Sequence, residues 1–173
     1  MQSTIIYTDG SASKNGSTTA TGGIGVFFSN ENPKNVSQET KQALKELLPD
    51  YKLIKITNNI SELTAILKAL VIMKGNLEAG EKIIIKTDSM YCINSLTKWY
   101  KNWEKNNWKN SSNKPVLNKE LIKCIIDTYI KIYPDQINFT YVRAHTKPPL
   151  KSSPSYSDFW GNFMADNYAT NFN

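Results

Sequence analysis

Apolar and polar positions follow two rhythms along the chain. Ile5-Ile6-Tyr7-Thr8-Asp9-Gly10-Ser11 is an apolar, β-branched run that stops at a carboxylate, and Ile83-Ile84-Ile85-Lys86-Thr87-Asp88-Ser89 repeats the device. Short runs of this kind read as buried strands. Residues 3–8 are therefore expected as a first strand, entered directly from the Met-Gln-Ser-Thr start, and the run ending at Asp88 as a fourth. Between them, Gly22 to Phe28 reads as a glycine-led second strand after a polar loop over 10–21. Residues 38–48 have helical composition, stopped by Pro49-Asp50, and read as an insertion between strands. Leu53 to Thr57 alternates and reads as a half-exposed third strand. Helical spacing takes over from Asn58 or Asn59, either of which can cap a helix running to about Lys74. Leu63, Ile66, Leu67, Leu70 and Val71 form its core face. Another helix starts near Met90, and Leu121, Ile122, Ile125, Ile126, Tyr129 and Ile130 mark a further amphipathic one. Ile137 to Val142 is a fifth strand. A loop over 143–157 holds three prolines and the single His. Ser157 or Asp158 then caps a last helix, with Phe159, Trp160, Phe163 and Met164 as its apolar side.

A length of 173 residues suits one α/β domain over 1–173, and 40% hydrophobic content suits a packed core. The net charge of +6 rests on Lys and a single Arg, Arg143, which points weakly to a polyanionic partner. Cys92 and Cys124, with one His in the chain, exclude a structural zinc site and read as small buried hydrophobes of a reducing compartment. No apolar run reaches membrane-spanning length, and an intracellular, cytoplasmic or nuclear location is expected, with no membrane contact.

Candidate chemistry sits where the strands stop. Ligands of open α/β sheets bind beyond the carboxyl ends of strands. Asp9 and Asp88 delivered there side by side would repel unless a cation lay between them. Glu62 falls in the first turn of the helix after Asn58, at the edge facing the protein, and Asp166 lies late in the last helix. Taken alone, each of these two has an ordinary reading, as a first-turn Glu favouring the helix dipole and as a surface Asp. Together the four carboxylates suit Mg²⁺, which prefers oxygen ligands and binds substrate phosphate. A pair of such ions can serve phosphodiester cleavage.

In order along the chain stand Thr8-Asp9-Gly10-Ser11, Gly22-Gly23-x-Gly25, Thr57-Asn58-Asn59-x-x-Glu62-Leu63-x-Ala65 and Thr87-Asp88-Ser89-Met90-Tyr91. Trp99-x3-Trp103-x4-Trp108, Pro115-Val116-x-Asn118-Lys119, His145 and Gly161-Asn162-x3-Asp166-x2-Ala169 follow. With these motifs the chain resembles type 1 ribonuclease H, of the cellular kind with a basic protrusion, nearly end to end. The resemblance implies the ribonuclease H-like fold, a mixed five-stranded sheet of order 3-2-1-4-5 flanked by helices on both faces. It implies that Asp9, Glu62, Asp88 and Asp166 ligate two Mg²⁺ ions, with Mn²⁺ able to substitute. A water then attacks the RNA strand of an RNA–DNA hybrid, leaving 5′-phosphate and 3′-hydroxyl ends. His145 is implied as a fifth catalytic residue, assisting proton transfer or product release. The chain departs from the family's pattern at Lys55, where relatives often carry Arg, and in two further places. The segment from His145 to Asn162 is longer, with the extra material at about 146–157, and Phe163 stands where many relatives carry Glu.

Residues 98–123 hold seven Lys against two Glu, and on a helix Lys98, Lys101, Lys105 and Lys109 form one stripe beside Trp99 and Trp103. Ammonium groups can neutralise phosphates and indole faces can meet sugars or bases. Trp108 is expected to pack inward. The resemblance identifies about 98–119 as the family's protrusion gripping the DNA strand. It also implies a DNA-phosphate pocket from Lys55, Thr57 and Asn118, and further substrate contacts from Ser11, Asn15, Asn58, Asn59, Met90 and Tyr91. Gly10 is expected to let the hybrid backbone approach. The expected partner is an RNA–DNA hybrid duplex met by a monomer. The alternatives are a hybrid- or double-stranded-RNA-binding module with weak catalysis, or a relative of the same fold acting on DNA.

Overall fold

The β-branched runs and the glycine-rich segment assemble one sheet. The computed structural model describes residues 2–53 and 55–172; Met1 and Ile54, which fall within the expected entry to strand one and the expected third strand, lie outside the described residues. The elements are β1 (Thr4–Ser13), β2 (Thr21–Phe27), β3 (Val36–Glu39), α1 (Thr40–Leu47), α2 (Asn58–Ile72), α3 (Lys74–Glu78), β4 (Ile83–Thr87), α4 (Met90–Asn94), α5 (Tyr100–Lys105), α6 (Lys119–Ile125), β5 (Ile137–Tyr141) and α7 (Tyr156–Thr170). A π-helical turn over Ser95–Trp99 joins α4 to α5, and another over Ile126–Ile130 prolongs α6.

The sheet order is β3-β2-β1-β4-β5, the order expected. β1 pairs antiparallel with β2 and β2 with β3, whereas β4 runs parallel to both β1 and β5. The third strand corrects the sequence reading. It is Val36–Glu39, and residues 51–53 and 55–57 form no strand. The segment 38–50 consequently holds the end of an edge strand and a helix whose Ala43 and Leu44 are buried, so it belongs to the core.

Period-2 alternation divides the strands between two faces. On one face Ile6, Val26, Ile83 and Ile85 pack with Leu63, Ile66, Leu67 and Leu70 of α2 and with Leu121, Ile122 and Ile125 of α6. On the other, Tyr7 and Phe27 meet Ala165 of α7. α7 lies almost on the sheet: a Cβ at Gly25 would strike the Ala165 carbonyl. Its buried stripe is therefore made of small residues, Gly161, Asn162, Ala165 and Ala169. Of the expected apolar side, Trp160 and Met164 do pack against the Tyr7–Phe27 cluster, whereas Phe163 is corrected, being 49% exposed. Val71, expected in the core, is also exposed, and Cys124 is only partly buried, while Cys92 is fully buried. Among the described residues no helix is long and apolar enough to cross a membrane.

Candidate active site

The parallel pairing of β1 with β4 ends at Tyr7↔Lys86, and two residues further along each chain stand Asp9 and Asp88. β1 itself continues to Ser13 on the β2 side, where Asp9 opposes Gly25. The two acids thus flank the point where the strands part. Glu62 reaches the same point from the start of α2. That helix is capped by Thr57, one residue before the expected caps, whose hydroxyl accepts the Ile60 N–H at 3.1 Å. Gly10 explains how α2 comes so close, since a Cβ there would collide with the Ser61–Glu62 backbone. The close approach expected of a ligand at Gly10 is made in this direction by the protein's own helix.

Carboxylate oxygens of Asp9, Glu62 and Asp88 lie within 4.8 Å of one another. Burial raises the Asp9 carboxyl above the ordinary carboxylate range, and the Asp88 charge raises it further. Glu62 is pushed well up by burial, then by Asp9 and Asp88. Asp88 is raised by burial and by Asp166, while His145 and a hydrogen bond from Asn162 act the other way. Glu62 Oε2 is sealed from solvent with no hydrogen-bond partner. Three clustered carboxyl groups, with a sealed and unpartnered Glu62 oxygen among them and neither thiol nor imidazole in the set, fit a hard divalent cation.

Asp166 stands outside that tight set, yet it is near enough for its charge to raise Asp88. His145 is exposed near the start of the long loop, with a left-handed backbone (φ 49°). It joins Arg143, Asn162, Phe163 and Asp166 around a small cavity of about 50 Å³. The lengthened loop that follows His145 therefore does not carry it away from Asp166. α7 is held in register by Asp158, whose Oδ1 accepts from the Tyr7 hydroxyl and from Lys86 Nζ, both at 2.7 Å. Asp158 is thus an anchor, and neither it nor Ser157 caps the helix, which begins at Tyr156. Burial and the Asp158 charge push the Tyr7 phenol far up. The Ser11 hydroxyl, expected on substrate, donates to the Ala169 carbonyl at 2.6 Å and so serves the docking of α7.

A second region gathers the other expected contacts. Asn15, Lys55, Thr57, Asn58, Asn59 and Asn118 line one open cavity of about 830 Å³. Asn15 Oδ1 accepts the Asn58 N–H at 2.8 Å, and Asn118 donates to the Tyr91 hydroxyl at 3.0 Å. Met90 is exposed nearby in the chain, at the start of α4. Tyr51 and Lys52 also line this cavity. The sequence reading missed them, because a strand assignment over 53–57 hid the role of the segment as a wall.

The basic stretch is partly rearranged. Lys98, Lys101, Lys105 and Lys109 are all exposed, but the helix ends at Lys105. Asn107 and Trp108 take left-handed backbones, and Lys109 forms a bridge with Pro115. The expected four-lysine helical stripe is thereby reduced to Lys101 and Lys105 on α5, flanked by Lys98 in the π turn and Lys109 beyond. Tyr91, Trp99, Trp103 and Trp108 form an aromatic ladder with centroid steps of 6.2, 6.0 and 6.0 Å. Trp108 is buried at one end of the ladder, as expected, and Trp99, second from the other end, is exposed.

The RNase H family model matches residues 1–172. The chain is 37% identical over 142 residues to Ribonuclease H of Schizosaccharomyces pombe, covering 82% of this chain and 46% of that protein. It is 39% identical to mouse Ribonuclease H1 over 119 residues, which is 69% of this chain and 37% of that one. The chain thus spans less than half the length of these two relatives. Against Ribonuclease H of Clostridium botulinum it is 35% identical over 84% of this chain and 86% of that protein. Among solved structures, the PFV RNase H domain superposes with a TM-score of 0.61 at 24% identity, covering 96% of this chain and 91% of that one. LC11-RNase H1 in complex with RNA/DNA hybrid gives 0.51 at 18% identity, covering 96% and 93%.

Proposed function

The chain belongs to the RNase H family, and from that premise we propose that it is an endonuclease hydrolysing the RNA strand of RNA–DNA hybrids with the help of two Mg²⁺ ions. Residues 1–173 act as one catalytic domain, monomeric and intracellular. The observation that carries this reading is the set of Asp9, Glu62 and Asp88 oxygens within 4.8 Å of one another, at the point where two parallel strands part. Asp9, Glu62, Asp88 and Asp166 would hold the ions. When bound, the ions supply positive charge that offsets the carboxylates and the charge developing at phosphorus.

The chain's own residues do the rest. Asp9, fixed by the Gly10 N–H at 2.8 Å, presents one constrained carboxylate beside the scissile phosphate. His145, exposed beside Asp166, takes up or delivers a proton as the product leaves. Lys55, Thr57 and Asn118 receive a phosphate of the DNA strand. Lys offers charge there without a bidentate fork, so this grip is weaker than an Arg would make it. Asn58 and Asn59 offer both donors and acceptors, which suits a 2′-hydroxyl and base edges in the minor groove. Lys98, Lys101, Lys105 and Lys109 with Trp99 and Trp103 hold the duplex from the protrusion. The products carry 5′-phosphate and 3′-hydroxyl ends.

Matched RNA–DNA, RNA–RNA and DNA–DNA duplexes, incubated with Mg²⁺ or EDTA, test the assignment. Cleavage is expected only of the hybrid and only with Mg²⁺, and Asp88→Asn should abolish it while the protein still melts cooperatively. Activity retained by Asp88→Asn refutes the site. Binding without cleavage by the unaltered protein makes it a hybrid-binding module.

A further inference from the structure

Trp160 and Tyr168 of α7 pack against the Tyr7–Phe27 cluster, but Phe163 is turned away from it. Phe163 is 49% exposed, yet it is held firmly: it stacks on Phe159 at 6.1 Å and on Trp160 at 5.7 Å, each at 24°. Trp160 is itself anchored by Nε1 donating to Asn30 Oδ1 at 2.9 Å. Phe163 shares the cavity of about 50 Å³ with His145 and Asp166, so its ring stands at the rim of the carboxylate site. Arg143, the single Arg of the chain, is exposed and makes no ion pair among the described residues. It lines that cavity and also a neighbouring groove of about 380 Å³, together with Tyr141 and Lys147. The one carboxylate in that groove, Asp158, is already paired with Lys86. The groove is therefore net cationic and aromatic, and it opens directly from the candidate active site.

We propose that this groove and the small cavity it adjoins bind unpaired nucleotides of the RNA strand where it leaves the hybrid, with Phe163, which lines the cavity, stacking on a base and Arg143, which lines both, on the adjoining phosphate. This rests on the hybrid-cleaving reading above and adds a substrate preference to it. An aromatic face needs a free π-face, and bases inside a duplex have both faces covered by their neighbours. Only a terminal or unpaired nucleotide can offer one. Stacking reads no base edge, so the preference is for a junction or overhang and not for a sequence. Arg suits the phosphate because its planar fork binds two oxygens at once.

The test compares a blunt RNA–DNA hybrid with the same hybrid carrying a four-nucleotide RNA extension at the 5′ end or at the 3′ end. The unaltered protein should show a KM about tenfold lower for one of the extended substrates, from the usual worth of one base–aromatic stack. In Phe163→Ala and Arg143→Ala the ratio between blunt and extended KM should collapse toward one, and Phe163→Tyr should restore it. Equal KM values for all three substrates, or a ratio that survives Phe163→Ala, overturns the proposal. Should no substrate be cleaved, the parent reading falls, and the same ratio is read from anisotropy binding of the three duplexes. Absence of the ratio there overturns this inference separately.

Discussion

Replacing Asp9 by Asn should stabilise the protein when no divalent cation is present. The oxygens of Asp9, Glu62 and Asp88 lie within 4.8 Å of one another, and at an effective dielectric of about 20 each ionised pair costs about 3.5 kcal/mol or more. The folded protein escapes part of this by keeping a carboxyl protonated, which at pH 7 costs about 4 kcal/mol against an unfolded carboxyl that ionises near 4. Either route gives a penalty of about 3–4 kcal/mol that Asn does not carry. The amide oxygen can still accept the Gly10 N–H, so little else is lost. For a chain of this size the gain corresponds to roughly 6–16 °C in Tm. The sign follows from the raised pKa of Asp9. The unfolded chain releases its proton first as pH rises, so the metal-free wild type loses stability from about pH 4 upward, through the raised folded value. The gap between variant and wild type should thus open with rising pH and close near pH 4. Thermal unfolding in EDTA at pH 4, 5.5, 7 and 8, repeated with saturating Mg²⁺, measures it, and Mg²⁺ should shrink the gap. A variant that melts at or below the wild type at pH 7 in EDTA, or a gap indifferent to pH, refutes the electrostatic account.

Two further outcomes follow from the geometry. Gly10→Ala drives a methyl into the Ser61–Glu62 backbone and should cost about 1–3 kcal/mol, with weaker Mg²⁺ protection against thermal unfolding because Glu62 is pushed away from Asp9. Lys101→Ala with Lys105→Ala should lower the slope of log K against log salt for hybrid binding by up to about 2, and an unchanged slope means these lysines meet no phosphate.

Some of this molecule can be read directly from its residues, for a physical reason. Asp9 and Asp88 end apolar runs that can only be buried strands, so their position at the end of the strand pairing follows from patterning. β3 escapes because Val36-Ser37-Gln38-Glu39 has one apolar residue. As a four-residue edge strand pairing only with β2, it needs no more. Leu53–Thr57 misleads because an alternating pattern does not distinguish a strand from a connecting segment lying against the protein, and among its described residues only Ile56 is buried. Its recorded tie to the β1–β2 loop is the Gly16 N–H donating to the Ile56 carbonyl. In α7, hydropathy points to the aromatics, but the bare backbone of Gly25 admits a helix so close that only small residues fit between. The carboxylate site was legible as a set of settings, whereas its convergence depends on Gly10 and Asp158, whose roles exist only once the elements are packed.

The bond pattern at Asp158 also bears on how the site moves. One carboxylate oxygen receives Tyr7 from β1 and Lys86 from β4, two residues before Asp9 and Asp88, while Asp158 itself rides on the helix that carries Asp166. Thermal sliding of α7 along the sheet would have to break both bonds at once, so displacements of the three acids are correlated and their separations fluctuate less than their positions. Within the plane of the sheet, Asp9, Asp88 and Asp166 are thereby tied to one another through a single carboxylate, whereas Glu62 reaches Asp9 and Asp88 from the opposite helix layer by way of Gly10.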